Sequence, residues 1–117
     1  MKYLVTDDSK LARLSLIKSL KICEEDAEIF QAENGQVALE ILKSEAIDLV
    51  FLDLTMPVMD GYTALPLFME AKPNIKVIVV SADIQEQARL KVLELGAIEH
   101  IKKPINSDKM KNILESL

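Results

Sequence analysis

Short apolar runs rich in β-branched residues alternate with amphipathic runs five times along this chain. Residues 2–6 read as a strand. Ser9 is placed to cap a helix running to about Ile22, with Asp7 and Asp8 between the two. Residues 27–32 form a weaker strand pattern, Asn34-Gly35 a turn, and 36–44 a helix. The run DLVFL at 48–52 is almost continuously apolar, as expected of a strand buried on both faces. Pro57 and Asp60-Gly61 then break the chain, 62–71 is helical, and Lys72-Pro73-Asn74 ends that helix. IKVIVV at 75–80 is a second buried strand. Residues 84–95 form a helix stopped by Gly96, a natural first residue beyond a helix end. Residues 98–101 form the fifth strand, Pro104 breaks it, and Asn106 or Ser107 caps a last helix.

One local conflict stands out. Pro66 lies inside the third helical pattern, where it removes a backbone donor and crowds the preceding turn, at ~3 kcal/mol in a helix interior. A late or kinked start, with Thr63 as N-cap, would bring Pro66 into the tolerant first turn.

Strands that alternate with helices imply βαβ units, hence an α/β fold with a parallel sheet and helices on both faces. Right-handed crossovers turn five such units into a doubly wound (βα)5 sandwich. At 117 residues, with short connections and no repeat, linker or low-complexity stretch, residues 1–117 are expected to form one domain. Half the residues are hydrophobic and 28% charged, which excludes a disordered chain. Only 4% are aromatic, so aliphatic side chains must fill the core.

A net charge of −5 argues against direct nucleic-acid binding, which needs a basic face. No run approaches the ~18 apolar residues of a membrane span, and no signal segment is present, so a cytoplasmic protein with no membrane contact is expected. The single cysteine, Cys23, suits a reducing compartment and reads as a small apolar residue rather than a reactive thiol.

The chemistry gathers at strand ends. Asp7 and Asp8 follow the first strand, Asp53 the third, Ser81 the fourth and Lys103 the fifth. In a parallel sheet these emerge at one edge, where such folds place their binding crevices. Three carboxylates ~5 Å apart repel by about 3 kcal/mol per pair at an effective dielectric of ~20. Either one stays protonated or a cation neutralises them. Hard oxygen ligands suit Mg²⁺, and a divalent cation also stabilises a transferring phosphoryl group. Lys103 and Ser81 could bind oxygens of that group, which leaves Asp53 as a possible nucleophile.

The segments VTDDS (5–9), FLDLTMPVMDG (51–61), VVSAD (79–83) and GAIEHIKKP (96–104) resemble the receiver domain of two-component response regulators, of the small CheY-like type. The resemblance spans the whole chain. It implies the strand order 2-1-3-4-5. It implies Asp53 as phosphoacceptor, with Asp8, Asp53 and the backbone carbonyl of Thr55 as direct Mg²⁺ ligands and Asp7 acting through water. Ser81 and Lys103 would contact the phosphoryl group, and the Lys103–Pro104 bond would be cis. Thr55 and Asp83 occupy positions where the family tunes the phosphoryl lifetime. The phosphoryl donor would be a histidine kinase or a phosphotransfer protein.

At the switch position, three before the lysine, the family usually has Tyr or Phe. Here it is His100, the only histidine. It either fills the same groove between the fourth helix and fifth strand or, with Ser81, forms a switch that titrates near pH 6.5. Apolar residues are also left over. Ala12, Leu16 and Leu20 make the sheet-facing stripe of the first helix, so Leu11 and Leu14 point outward. Ile84, Ala88, Val92 and Leu95 do the same for the fourth helix, which leaves Leu90 and Leu93 outward. By the resemblance, Leu11 and Leu14 would meet the kinase, and Leu90 and Leu93 a downstream protein target or a second copy, in a monomer or weak dimer.

The leading expectation is a stand-alone signalling switch, of a kind found in chemotaxis, rather than an enzyme. A haloacid-dehalogenase-type phosphatase would need an acid where Thr55 stands. A flavodoxin-like nucleotide binder would need a glycine-rich loop after the first strand. A phosphorylation-independent docking module would be expected to have lost an acid or the lysine.

Overall fold

The computed structural model describes residues 1–82 and 84–117. The chain runs β1 (Lys2–Thr6), α1 (Lys10–Cys23), β2 (Glu28–Ala32), α2 (Gly35–Ser44), β3 (Leu49–Leu52), α3 (Gly61–Ala71), β4 (Lys76–Ser81), α4 (Glu86–Glu94), β5 (Glu99–Lys102) and α5 (Ser107–Glu115). All strand pairs are parallel, in the order β2-β1-β3-β4-β5. The sandwich read from the hydrophobic pattern and the strand order implied by the resemblance are both present.

Burial follows position in the sheet. Every residue of central β3 is buried, whereas the edge strands β2 and β5 each bury one residue. A strand covered on both faces needs apolar side chains at every position, which is why DLVFL lacks alternation. On one face Leu4, Val50, Leu52, Val77 and Val79 pack with Leu42, Leu65, Phe68 and Val92 of α2, α3 and α4. On the other, Tyr3, Val5, Phe51, Ile78 and Val80 pack with Leu20, Met110 and Ile113 of α1 and α5.

The Ser9 and Asn106 caps are legible in the sequence, whereas Asn34 reads there as part of a turn. Ser9, Asn34 and Asn106 accept from Ala12, Val37 and Lys109 N–H at 3.2, 2.9 and 2.8 Å. Asn34-Gly35 is therefore a helix start rather than a free turn. Gly96, just past α4, has φ +118°, the left-handed backbone that glycine permits without strain.

The third helix departs from expectation. It does not start late: Asp60 is the N-cap, accepting from Thr63 N–H at 2.8 Å, and Pro66 is the sixth helical residue. Tertiary packing fixes this start, because Gly61 N–H donates to the Leu54 carbonyl at 2.9 Å. Pro66 is exposed, so water can serve the Tyr62 carbonyl that has lost its helical donor. Cys23 is also not a core residue. It is exposed at the end of α1, with its Sγ 3.4 Å from the Ser107 carbonyl. No helix among the described residues is long and apolar enough to cross a membrane.

Candidate functional site

The backbone continues the sheet past its C-terminal edge and so places the polar residues. Asp7 N–H donates to Ala32 O at 3.0 Å, Asp53 N–H to Thr6 O at 2.9 Å, and Lys103 N–H to Ser81 O at 2.8 Å. Asp7, Asp53 and Ser81 are buried and Asp8 is exposed. The carboxylates of Asp7, Asp8 and Asp53 lie within 4.8 Å of one another. Asp8, Asp53, Thr55, Ser81 and Lys103 line one open crevice, with Tyr62 on its wall. The structure thus brings together every residue that the strand-end pattern singled out. Asp83 lies outside the described residues.

Lys103 bridges the two buried acids, with Nζ 2.6 Å from Asp7 Oδ2 and 3.2 Å from Asp53 Oδ1. Burial works against its ammonium, but the bonds and charges of Asp7 and Asp53 outweigh that and raise its pKa. Burial, then the Asp7 charge, pushes the Asp53 carboxyl above the usual carboxylate range, against the pull of Lys103. The Lys103–Pro104 peptide is cis.

The donor set fits a hard divalent cation. Three carboxylates converge, and one positive charge leaves Asp53 still reluctant to ionise, a penalty that a cation would relieve. The two oxygens of Asp7 are engaged, Oδ1 by Ser9 N–H at 3.0 Å and Oδ2 by Lys103.

His100 is 3% exposed on β5, and its Nε2 lies 2.7 Å from Ser81 Oγ. Burial, with the charge of Arg89, lowers its pKa, and Glu99 opposes this only in part. The expectation of titration near pH 6.5 is therefore corrected downward. The ring also does more than fill the groove, since it bonds Ser81.

Leu11 and Leu14 are 79% and 45% exposed on α1, and Leu90 is 56% exposed on α4. Leu93 is half-buried, not outward. At 100° per residue, Leu90 lies about 160° from buried Val92 and Leu93 only about 100°, on the flank of the helix. Ile84 precedes α4 rather than belonging to it.

Arg13 and Gly61, which brace the site, and the strained Val58 in the loop after it were missed in the sequence. Arg13 Nη1 donates to the Asp7 carbonyl at 2.7 Å, bracing the acidic loop. Gly61 approaches so closely that a Cβ there would sit 2.5 Å from the Asp53 carbonyl oxygen. Val58, 83% exposed, has φ +67° between the Pro57 carbonyl and Met59 N–H, which bond at 2.7 Å in a γ-turn. A β-branched residue there is strained. Backbone contacts leave no residue-type signal, so only Gly61, in its Asp-Gly break, offered a hint.

The family model for the response regulator receiver domain matches residues 3–115. The chain is 36% identical over 116 residues to the chemotaxis protein CheY of Listeria monocytogenes, covering 98% of this chain and 96% of that one. It is 40% identical over 112 residues to protein-glutamate methylesterase/protein-glutamine glutaminase 1 of Rhodospirillum rubrum, covering 92% of this chain. The chain spans only 27 to 32% of the length of such methylesterase relatives. Among solved structures, the CheX-CheY-BeF3-Mg+2 complex from Borrelia burgdorferi matches with a TM-score of 0.89 and 34% identity, over 99% of this chain and 87% of that one.

Proposed function

The chain belongs to the response regulator receiver family, and we propose that it acts there as a phosphoacceptor switch with Asp53 as the nucleophile. The observation that carries this is the convergence of Asp53, Lys103, Ser81 and two further carboxylates in one crevice. An Asp53 oxygen attacks the phosphorus of a phosphohistidine on a histidine kinase or phosphotransfer protein. The P–N bond breaks, its electron pair leaves with the imidazole, and an acyl phosphate forms on Asp53. Slow hydrolysis then returns the carboxylate.

Asp8, Asp53 and the Thr55 carbonyl would hold Mg²⁺, with Asp7 acting through water. A bound divalent cation supplies charge neutralisation for the transferring group. Lys103 gives its ammonium to a phosphoryl oxygen, trading part of its contact with Asp53. Ser81 gives its hydroxyl to another. Leu11 and Leu14 would receive the phosphoryl donor's helix. Leu90, on the face that α4 shares with β5, would meet a downstream protein partner, with chemotaxis as the process suggested by the CheY relatives.

The test is intact mass after incubation with acetyl phosphate, with and without Mg²⁺. One Mg²⁺-dependent phosphoryl adduct on the wild type and none on Asp53→Asn is expected. Equal labelling of Asp53→Asn would refute the nucleophile assignment. No adduct, together with no Mg²⁺ binding, would point to a phosphorylation-independent docking module.

A further inference from the structure

The three acids of the site are held in different ways. Asp7 is fixed through its carboxylate, by Ser9 N–H on Oδ1 at 3.0 Å and by the Lys103 ammonium on Oδ2 at 2.6 Å. Asp53 is fixed through its own carboxylate, by the same ammonium at 3.2 Å. Asp8 is exposed, and among the described residues its carboxylate takes no hydrogen bond or ion pair. Its place within 4.8 Å of the other two therefore depends on its backbone.

One side chain holds that backbone. Arg13, in the first turn of α1, donates from Nη1 to the Asp7 carbonyl at 2.7 Å. This carbonyl belongs to the planar peptide that joins Asp7 to Asp8, so its direction sets ψ of Asp7 and φ of Asp8. Those torsions aim the Asp8 side chain. Nε of the same guanidinium donates to Gln31 Oε1, on β2, at 3.0 Å. The neighbouring residue of β2 anchors the other side of Asp7, whose N–H donates to the Ala32 carbonyl at 3.0 Å. A planar guanidinium gripped at two points can turn little, whereas a lysine ammonium has a single nitrogen to offer.

We propose that Arg13 is a positioning residue for cation binding: through the Asp7 carbonyl it holds the Asp7–Asp8 peptide in the orientation that turns the Asp8 carboxylate towards Asp53. This rests on the Mg²⁺-assisted phosphoacceptor reading above. The sign of the effect separates positioning from charge. Arg13 adds a positive charge beside an acidic loop, so on Coulombic grounds alone its removal would tighten cation binding. Positioning requires the reverse.

The experiment has two readouts. Mg²⁺ affinity is measured by titration calorimetry on wild type, Arg13→Met and Gln31→Leu, and urea unfolding in EDTA checks that each variant folds. Arg13→Met should bind Mg²⁺ about tenfold more weakly, the low end of what losing an outer partner of a metal ligand costs. Gln31→Leu keeps the charge of Arg13 but removes one grip, and should weaken binding to a smaller extent. Labelling by acetyl phosphate, followed by intact mass, is the second readout. Arg13→Met should show the same shift in the Mg²⁺ needed for half its maximal rate, and should recover most of the wild-type rate when Mg²⁺ saturates. Unchanged or tighter Mg²⁺ binding in Arg13→Met overturns the proposal, as does a labelling rate that stays low at saturating Mg²⁺. If Arg13→Met does not fold, unchanged binding in Gln31→Leu overturns it. A wild type that binds no Mg²⁺ removes the phosphoacceptor reading as well. A wild type that binds it no better than Arg13→Met removes this inference alone.

Discussion

Replacing Asp53 with asparagine should stabilise the fold, even though it removes the proposed nucleophile. Asp53 faces the carboxylates of Asp7 and Asp8 within 4.8 Å and the Lys103 ammonium at 3.2 Å. At an effective dielectric of ~20, each repulsion is worth about 3.5 kcal/mol and the attraction about 5 kcal/mol. The balance is about 2 kcal/mol against the charged side chain. Burial adds to this, and the exposure of Asp8 subtracts from it. Asparagine has nearly the same shape and keeps an oxygen for Lys103. In EDTA at pH 7, Asp53→Asn should therefore unfold at higher urea, by about 1–3 kcal/mol.

The pH dependence follows from the sign of the shift. The folded pKa of Asp53 lies above its unfolded value, so the folded state binds more protons in that range. The wild-type deficit is then full above the folded pKa and is relieved as pH falls towards the unfolded value. Mg²⁺ should reverse the order. A ligand at a hundred times its Kd stabilises by about 2.7 kcal/mol, which the wild type should gain and Asp53→Asn largely lose. A destabilised Asp53→Asn in EDTA, or equal stabilisation of both proteins by Mg²⁺, would refute the reasoning.

Three further outcomes are expected. Gly61→Ala would drive a Cβ into the Asp53 carbonyl and the Leu54 Cα, at 2.5 and 2.9 Å, so the backbone must move. Urea unfolding should show a loss of about 1–3 kcal/mol, and Mg²⁺ titration a weaker site; unchanged values in both would exclude the close approach as a constraint. Leu14→Asp, on the exposed face of α1, should slow phosphoryl transfer from a protein donor at least several-fold and leave acetyl phosphate labelling unchanged; equal loss with both donors would exclude docking there. The lowered pKa of His100 means that the unfolded state takes up its proton first as pH falls. The wild type should then lose stability below about pH 6.5, with a slope of up to about 1.4 kcal/mol per pH unit. His100→Phe should lack that component, and superimposable stability–pH curves would show that His100 does not titrate with folding.

The sequence by itself determined the five βα units, because each strand and helix carries its own hydrophobic period. It also determined which residues gather, since parallel strands deliver Asp7, Asp8, Asp53, Ser81 and Lys103 to one edge whatever the packing details. Capping residues with side-chain oxygens, such as Ser9 and Asn106, were legible because their signal is local. Tertiary structure decided the rest, where a contact joins distant segments through backbone atoms or where burial sets a charge. Pro66 sits in a helix interior because Gly61 is anchored to Leu54, a contact that outweighs local propensity. Cys23 is exposed and Leu93 half-buried because helix rotation, not residue type, sets the buried stripe. Lys103 spans Asp7 and Asp53, and His100 bonds Ser81, through distances that no periodicity encodes. Periodicity identifies the face on which a side chain lies; hydrogen bonding and desolvation, which act over a few ångströms between segments far apart in the chain, decide what it does there.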